Sequence, residues 1–144
     1  AALRAGHVEQ AGRFVERLRA APLLAQDADR VFLLELCTAR VQAARGNADA
    51  TAHFEKALAI ADGRAPLSIV NTSVAYADHL LAAGNRADMT AILGRLLPYA
   101  PRSYEAARTV TRLYAALGDR DLADQSTALA QQLAGERTPP PSRR

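Results

Sequence analysis

The chain has 144 residues, 49% of them apolar, which suits one domain. With no Trp, three Phe and four Tyr, its core must be mainly Ala, Leu and Val. The formal charge is +3, and all but one of the 18 basic residues are Arg, but acids are interspersed along the chain. That pattern argues against a polybasic nucleic-acid binder. The one cysteine, Cys37, excludes an internal disulfide and a cysteine zinc site but leaves the compartment open. No apolar run reaches the length of about 18 residues that a membrane span needs, and no signal peptide is visible.

Residues 1–5 read as the last turn of a truncated helix ending at Gly6, so a fragment of a longer protein is expected. From His7 to Ala20, Val8, Ala11, Phe14, Val15 and Leu18 recur at helical spacing. Pro22 ends that pattern. Asp27 or Asp29 is then the expected N-cap of a helix running to about Arg45. It carries Val31, Leu34, Cys37, Val41 and Ala44 on one face, with Phe32, Leu33 and Leu36 beside it. An apolar surface this broad predicts burial on two sides.

Gly46-Asn47 turns the chain, and Ala50, Phe54, Ala57 and Leu58 form the inner face of a helix ending near Ile60 or Ala61. Gly63 stands in a C′ position and Pro66 at N1 of the next helix. That helix, Leu67 to Ala83, carries Ile69, Val70, Val74, Ala77, Leu80 and Leu81. Gly84-Asn85 turns it into a shorter helix with Ala87, Ile92, Leu93, Leu96 and Leu97, stopped by Pro98 and Pro101. Arg102 or Ser103 opens a helix with Ala106, Ala107, Val110, Leu113, Tyr114 and Leu117 on its face. After Gly118-Asp119 a final helix carries Leu122, Ala123, Ser126, Leu129, Ala130 and Leu133 and ends at Gly135. Residues 136–144, with three consecutive prolines and two terminal arginines, read as a flexible tail. Six main helices in antiparallel neighbours are expected, with bends near Gly46, Gly84 and Gly118.

The glycines at positions 6, 46, 84 and 118 are spaced 40, 38 and 34 residues apart, and helical hairpins at such a period are the mark of a solenoid. The pattern resembles tetratricopeptide repeats. Small residues seven before the turn glycine are Ala39, Ala77 and Thr111. Large ones four before are Leu80 and Tyr114, although Gln42 departs from the pattern. Met89, Leu93 and Leu96 follow Gly84, and Ala123, Thr127 and Ala130 follow Gly118, at the family's spacing. Pro101 falls where the family has a proline. The family's aromatic eleven before the glycine is missing, since Ser73 and Ala107 stand there. The resemblance covers most of residues 1–135, closely after Leu67 and loosely before. It implies an all-α, right-handed solenoid of antiparallel hairpins over 1–135, whose concave groove takes a peptide or partner helix.

Catalytic chemistry finds little to work with. Asp49 and His53 are four apart on one helix face, but no third metal ligand is close, and an ordinary helical pair explains them. His7 follows a glycine and is read as exposed. His79 beside Asp78, with Ser73 on the same helix, lacks the strained turn of a nucleophile. Cys37 reads as a small core hydrophobe. No glycine heads a phosphate loop. A non-enzyme without metal or cofactor is therefore expected.

The groove is expected to present residues six before each turn glycine, Arg40, Asp78 and Arg112, and ten before, Leu36, Val74 and Arg108. Asn71 and Leu81 complete the candidate surface. Asp78 is read as bridging arginines on either side. Leu36 and Val74 would anchor an apolar group, and Arg108 and Arg112 a carboxylate of an acidic protein or peptide partner. The alternative reading is a structural or regulatory spacer of a larger bacterial enzyme or envelope or secretion assembly. At the other end, Phe14 and Val15 are expected to be left open for self-association or upstream packing. On the last helix Arg120, Asp124, Gln125, Gln131 and Gln132 read as a polar cap.

Overall fold

The computed structural model describes residues 5–21 and 27–137. Among them are seven α-helices, one short 3-10 turn and no strand. The helices are α1 (Ala5–Ala20), α2 (Ala28–Ala44), α3 (Ala50–Ala61), α4 (Pro66–Ala83), α5 (Arg86–Leu96), α6 (Tyr104–Leu117) and α7 (Arg120–Arg137), with the 3-10 turn at Ala100–Arg102. The count exceeds the expected six main helices by one, and each of the seven stretches with helical spacing, the one from His7 to Ala20 included, is a helix. Gly6 lies inside α1 rather than at a bend, where it costs helix stability without breaking the hydrogen-bond ladder. Likewise Gly135 does not stop α7, which runs on to Arg137. Residues 1–4, Pro22 and the tail from 138 lie outside the described residues.

Three turns follow one design. Gly46, Gly84 and Gly118 have φ of 71°, 72° and 89°, the left-handed region that a side chain disfavours. The next residue, Asn47, Asn85 or Asp119, donates its N–H to the carbonyl four before the glycine, at 2.9, 3.3 and 3.0 Å, as in a Schellman closure. After Gly84 and Gly118 the same residue then caps the following helix, and after Gly46 it bonds within the turn that precedes α3. Asn85 Oδ1 accepts from the Asp88 N–H and Asp119 Oδ1 from the Leu122 N–H, while Asn47 Oδ1 accepts from the Asp49 N–H. At Gly84 and Gly118 one residue thus serves two helix ends, its backbone N–H closing the first and its side chain capping the second, whereas α3 starts after Asp49 without a side-chain cap. Gly63 does not join this set. Its loop closes by bonds from the Gly63 N–H to Ile60 O and the Arg64 N–H to Ala61 O, which need no left-handed residue.

Other starts are capped as expected. Asp27 accepts from the Asp29 and Arg30 N–H groups, and Pro66 begins α4. Ser103 Oγ accepts from the Ala106 N–H, so the cap works without the acid of a capping box.

The chain divides into two compact units, Ala1–His79 and Leu80–Arg144. In the first, Val8 and Val15 of α1 bury against Val41 of α2, with Ala11, Leu34 and Cys37 around them. Val15 is therefore core, contrary to the expectation that it stays open, because α2 covers its side of α1; its neighbour Phe14 remains 47% exposed. On α3, Ala50, Phe54, Ala57, Leu58 and Ala61 face inward. Phe54 stacks on Tyr76 of α4 with centroids 5.0 Å apart. Arg64, in the loop between them, pairs with Asp29 and lies 5.0 Å over the Phe32 ring, tying the loop to α2.

In the second unit α6 packs on both α5 and α7. It buries Ala106, Ala107, Thr109, Val110 and Leu113. Met89, Ile92, Leu93 and Leu96 of α5, with Ala123 and Ala130 of α7, are buried too. Arg86 reaches from the start of α5 to donate to Ala116 O at 2.9 Å and Leu117 O at 2.7 Å. A cation there satisfies the last carbonyls of α6 and suits the negative end of its dipole.

Candidate functional site

The candidate surface residues fall on three helix stripes. On α2, Leu36 is half-buried and Arg40, one turn on, is exposed. On α4, Asn71, Val74, Asp78 and Leu81 follow at helical spacing along one stripe, Asn71 exposed and the others half-buried. On α6, Arg108 and Arg112 stand one turn apart and are both exposed. Leu36 through Asp78 belong to the first unit; Leu81, Arg108 and Arg112 belong to the second.

The α6 stripe is the most sharply built. Its helix has one side fully buried and carries Glu105, Arg108, Arg112, Ala115 and Ala116 on the other. Arg108 makes no hydrogen bond or ion pair among the described residues.

His53 and His79, weighed for chemistry, both have structural partners. His53 Nδ1 lies 2.6 Å from Glu35 Oε2, a bridge between α3 and α2, so it engages a residue of another helix rather than Asp49. His79 Nε2 lies 3.2 Å from Thr51 Oγ1, and its ring sits beside Phe54 and Tyr76 at 5.8 and 6.4 Å. Burial in this aromatic setting lowers the His79 pKa below the usual imidazole value. The Cys37 thiol is pushed up by burial, against a smaller opposing pull from Arg40, which makes a reactive thiolate harder to reach. His7 is exposed. No group of three His, Cys, Asp or Glu able to hold a metal occurs among the described residues. Nor is any described helix long and apolar enough to cross a membrane.

Three buried hydroxyls, those of Thr38, Thr72 and Ser73, find no hydrogen-bond partner among the described residues. Thr38 and Thr72 carry no sequence signal because each sits inside an apolar helical pattern, and Ser73 is weighed in the sequence only as a nucleophile. Comparisons with protein-family models, with curated proteins and with solved structures returned no match to this chain.

Proposed function

We propose that the chain is a non-catalytic interaction module of tetratricopeptide-like hairpins, and that it takes an acidic peptide or partner helix on the outer stripe of α6. The observation that carries this reading is the pair of exposed guanidinium groups, Arg108 and Arg112, one turn apart on a helix buried along its other side. Like charges at this spacing repel by a few tenths of a kcal/mol. A carboxylate beside Arg108 offsets that cost and accepts charge-assisted hydrogen bonds from its guanidinium. Support for the hairpin reading comes from the shared turn design and from Ala39 and Ala77, both fully buried seven residues before their glycines. Small residues there let paired helices approach closely.

The test has two stages. Crosslinking capture from the source cell, with the chain as bait, supplies a candidate partner. Calorimetry then compares that partner's affinity for the chain and for the double variant Arg108→Glu, Arg112→Glu. Binding should fall by at least about a hundredfold, as expected when charge-assisted bonds become repulsive, with helicity by circular dichroism unchanged. Unchanged affinity would put the binding surface elsewhere and end this reading.

A further inference from the structure

We infer that mild acid releases α4 from α3 while α3 stays clasped to α2. Two side-chain contacts of α3 carry this, one on each flank. Thr51 reaches α4, where its Oγ1 lies 3.2 Å from Nε2 of His79. His53 reaches α2, where its Nδ1 lies 2.6 Å from Oε2 of Glu35. Residues two apart on a helix point about 200° apart, so the two clasps sit on different sides of α3. Both lie within the first unit.

The two imidazoles meet a proton differently because their partners differ. A carboxylate only accepts, so His53 donates from Nδ1 to Glu35 whether its ring is neutral or positive. The positive form makes the bond charge-assisted, so this clasp holds in both states. His79 has no such partner. Thr51 is uncharged, the rings of Phe54 and Tyr76 lie 5.8 and 6.4 Å from the imidazole, and no carboxylate pairs with it among the described residues. A neutral ring can accept the Thr51 proton at Nε2, whereas a positive ring can only donate. A proton on His79 therefore places charge in a partly dry, aromatic setting with no counter-ion, and burial holds its pKa below the usual imidazole value.

Nearby charges leave these signs in place. Asp78 precedes His79 and Glu55 lies one turn beyond Thr51, yet burial alone shifts the His79 ring. Around His53, Asp49 and Lys56 stand one turn away on α3 and are exposed, and Asp49 makes no ion pair with it. The release is partial, because Phe54 remains stacked on Tyr76 with centroids 5.0 Å apart. The loosened helix presents Asn71, Val74 and Asp78, so the response reaches the α4 stripe of the candidate surface. It is independent of the α6 stripe, and its failure would leave that reading untouched.

The test follows amide hydrogen exchange of the full chain at about pH 7.5 and about pH 5.5, on either side of the usual imidazole value, with rates corrected for intrinsic exchange. His79→Gln and His53→Gln accompany it, and a thermal melt confirms that each variant is folded. In the lower-pH sample the opening of α4 amides around His79 should rise at least about threefold relative to those of α2, since an opening that takes up one proton can shift up to about tenfold per pH unit. His79→Gln should remove that rise, and His53→Gln should leave it. The proposal is overturned if α2 opens as much as α4, if His79→Gln keeps the rise, or if His53→Gln abolishes it.

Discussion

Glycine-to-alanine substitutions separate the backbone roles residue by residue. At Gly118 the space around a new Cβ is open, so the cost is conformational: an alanine held at φ 89° loses about 1–2 kcal/mol. At Gly94 the space is equally open, but the residue sits inside α5 without a positive φ. There the same change should gain about 0.5–1 kcal/mol, because glycine loses the most chain entropy on folding. Urea unfolding of the two variants checks both signs; two shifts of the same sign would refute the argument. A second residue-scale prediction follows from His79. Its folded pKa lies below the unfolded value, so the unfolded chain binds more protons between the two. Its contribution to stability is present above the unfolded pKa near 6.5 and is lost as pH falls below it. The melting temperature should therefore fall from neutral to mildly acid pH, and the fall should be smaller in His79→Gln. An identical slope in the two proteins would show that His79 does not contribute.

Between elements, the packing of α3 on its neighbours is the place to measure. Phe54 is fully buried and touches the rings of Tyr76 and His79. Phe54→Ala should cost about 3–5 kcal/mol in equilibrium unfolding, as such truncations do; a cost below about 1 kcal/mol would mean the first unit is loosely packed. The position of Phe54 on an inner face was legible, since Ala50, Phe54, Ala57 and Leu58 recur at helical spacing and all are buried. So were the turns at Gly46, Gly84 and Gly118 and the Asp27 cap, because local backbone chemistry decides them, whereas Gly6 and Gly135, read as helix ends, lie inside helices. The 3-10 turn at Ala100–Arg102 was not, since three residues carry no period. Nor was the bridge between His53 and Glu35, which lie 18 residues apart and meet only because α2 packs on α3. The candidate surface divides in the same way. The rows on α4 and α6 follow from spacing within one helix, whereas the buried hydroxyls of Thr38, Thr72 and Ser73 lack partners for reasons no local pattern reveals.

At the scale of the whole molecule, what matters is how the chain presents its ends to other copies. The described surface of α7 is mostly polar, with Arg120, Asp124, Gln125, Gln131 and Gln132 all exposed beside a 37% exposed Leu122, which discourages stacking there. The α1 end is different. Val8 and Val15 are satisfied by α2, yet Phe14 is 47% exposed and Leu33 of α2 is 40% exposed. A half-open aromatic is the residue type that anchors protein contacts when another surface covers it. The α1 end is therefore expected to self-associate weakly, and sedimentation velocity across a rising concentration series should show a growing mean sedimentation coefficient. Phe14→Asp should remove that growth. Because the ring is already half in water, the same change should alter monomer stability by no more than about 1 kcal/mol, the scale of a surface substitution. The two readouts separate the possibilities. A chain that stays monomeric at the highest concentration, or a Phe14→Asp variant that associates as before, rules out this end as a contact surface. A large loss of stability with no change in association would instead assign Phe14 to the core.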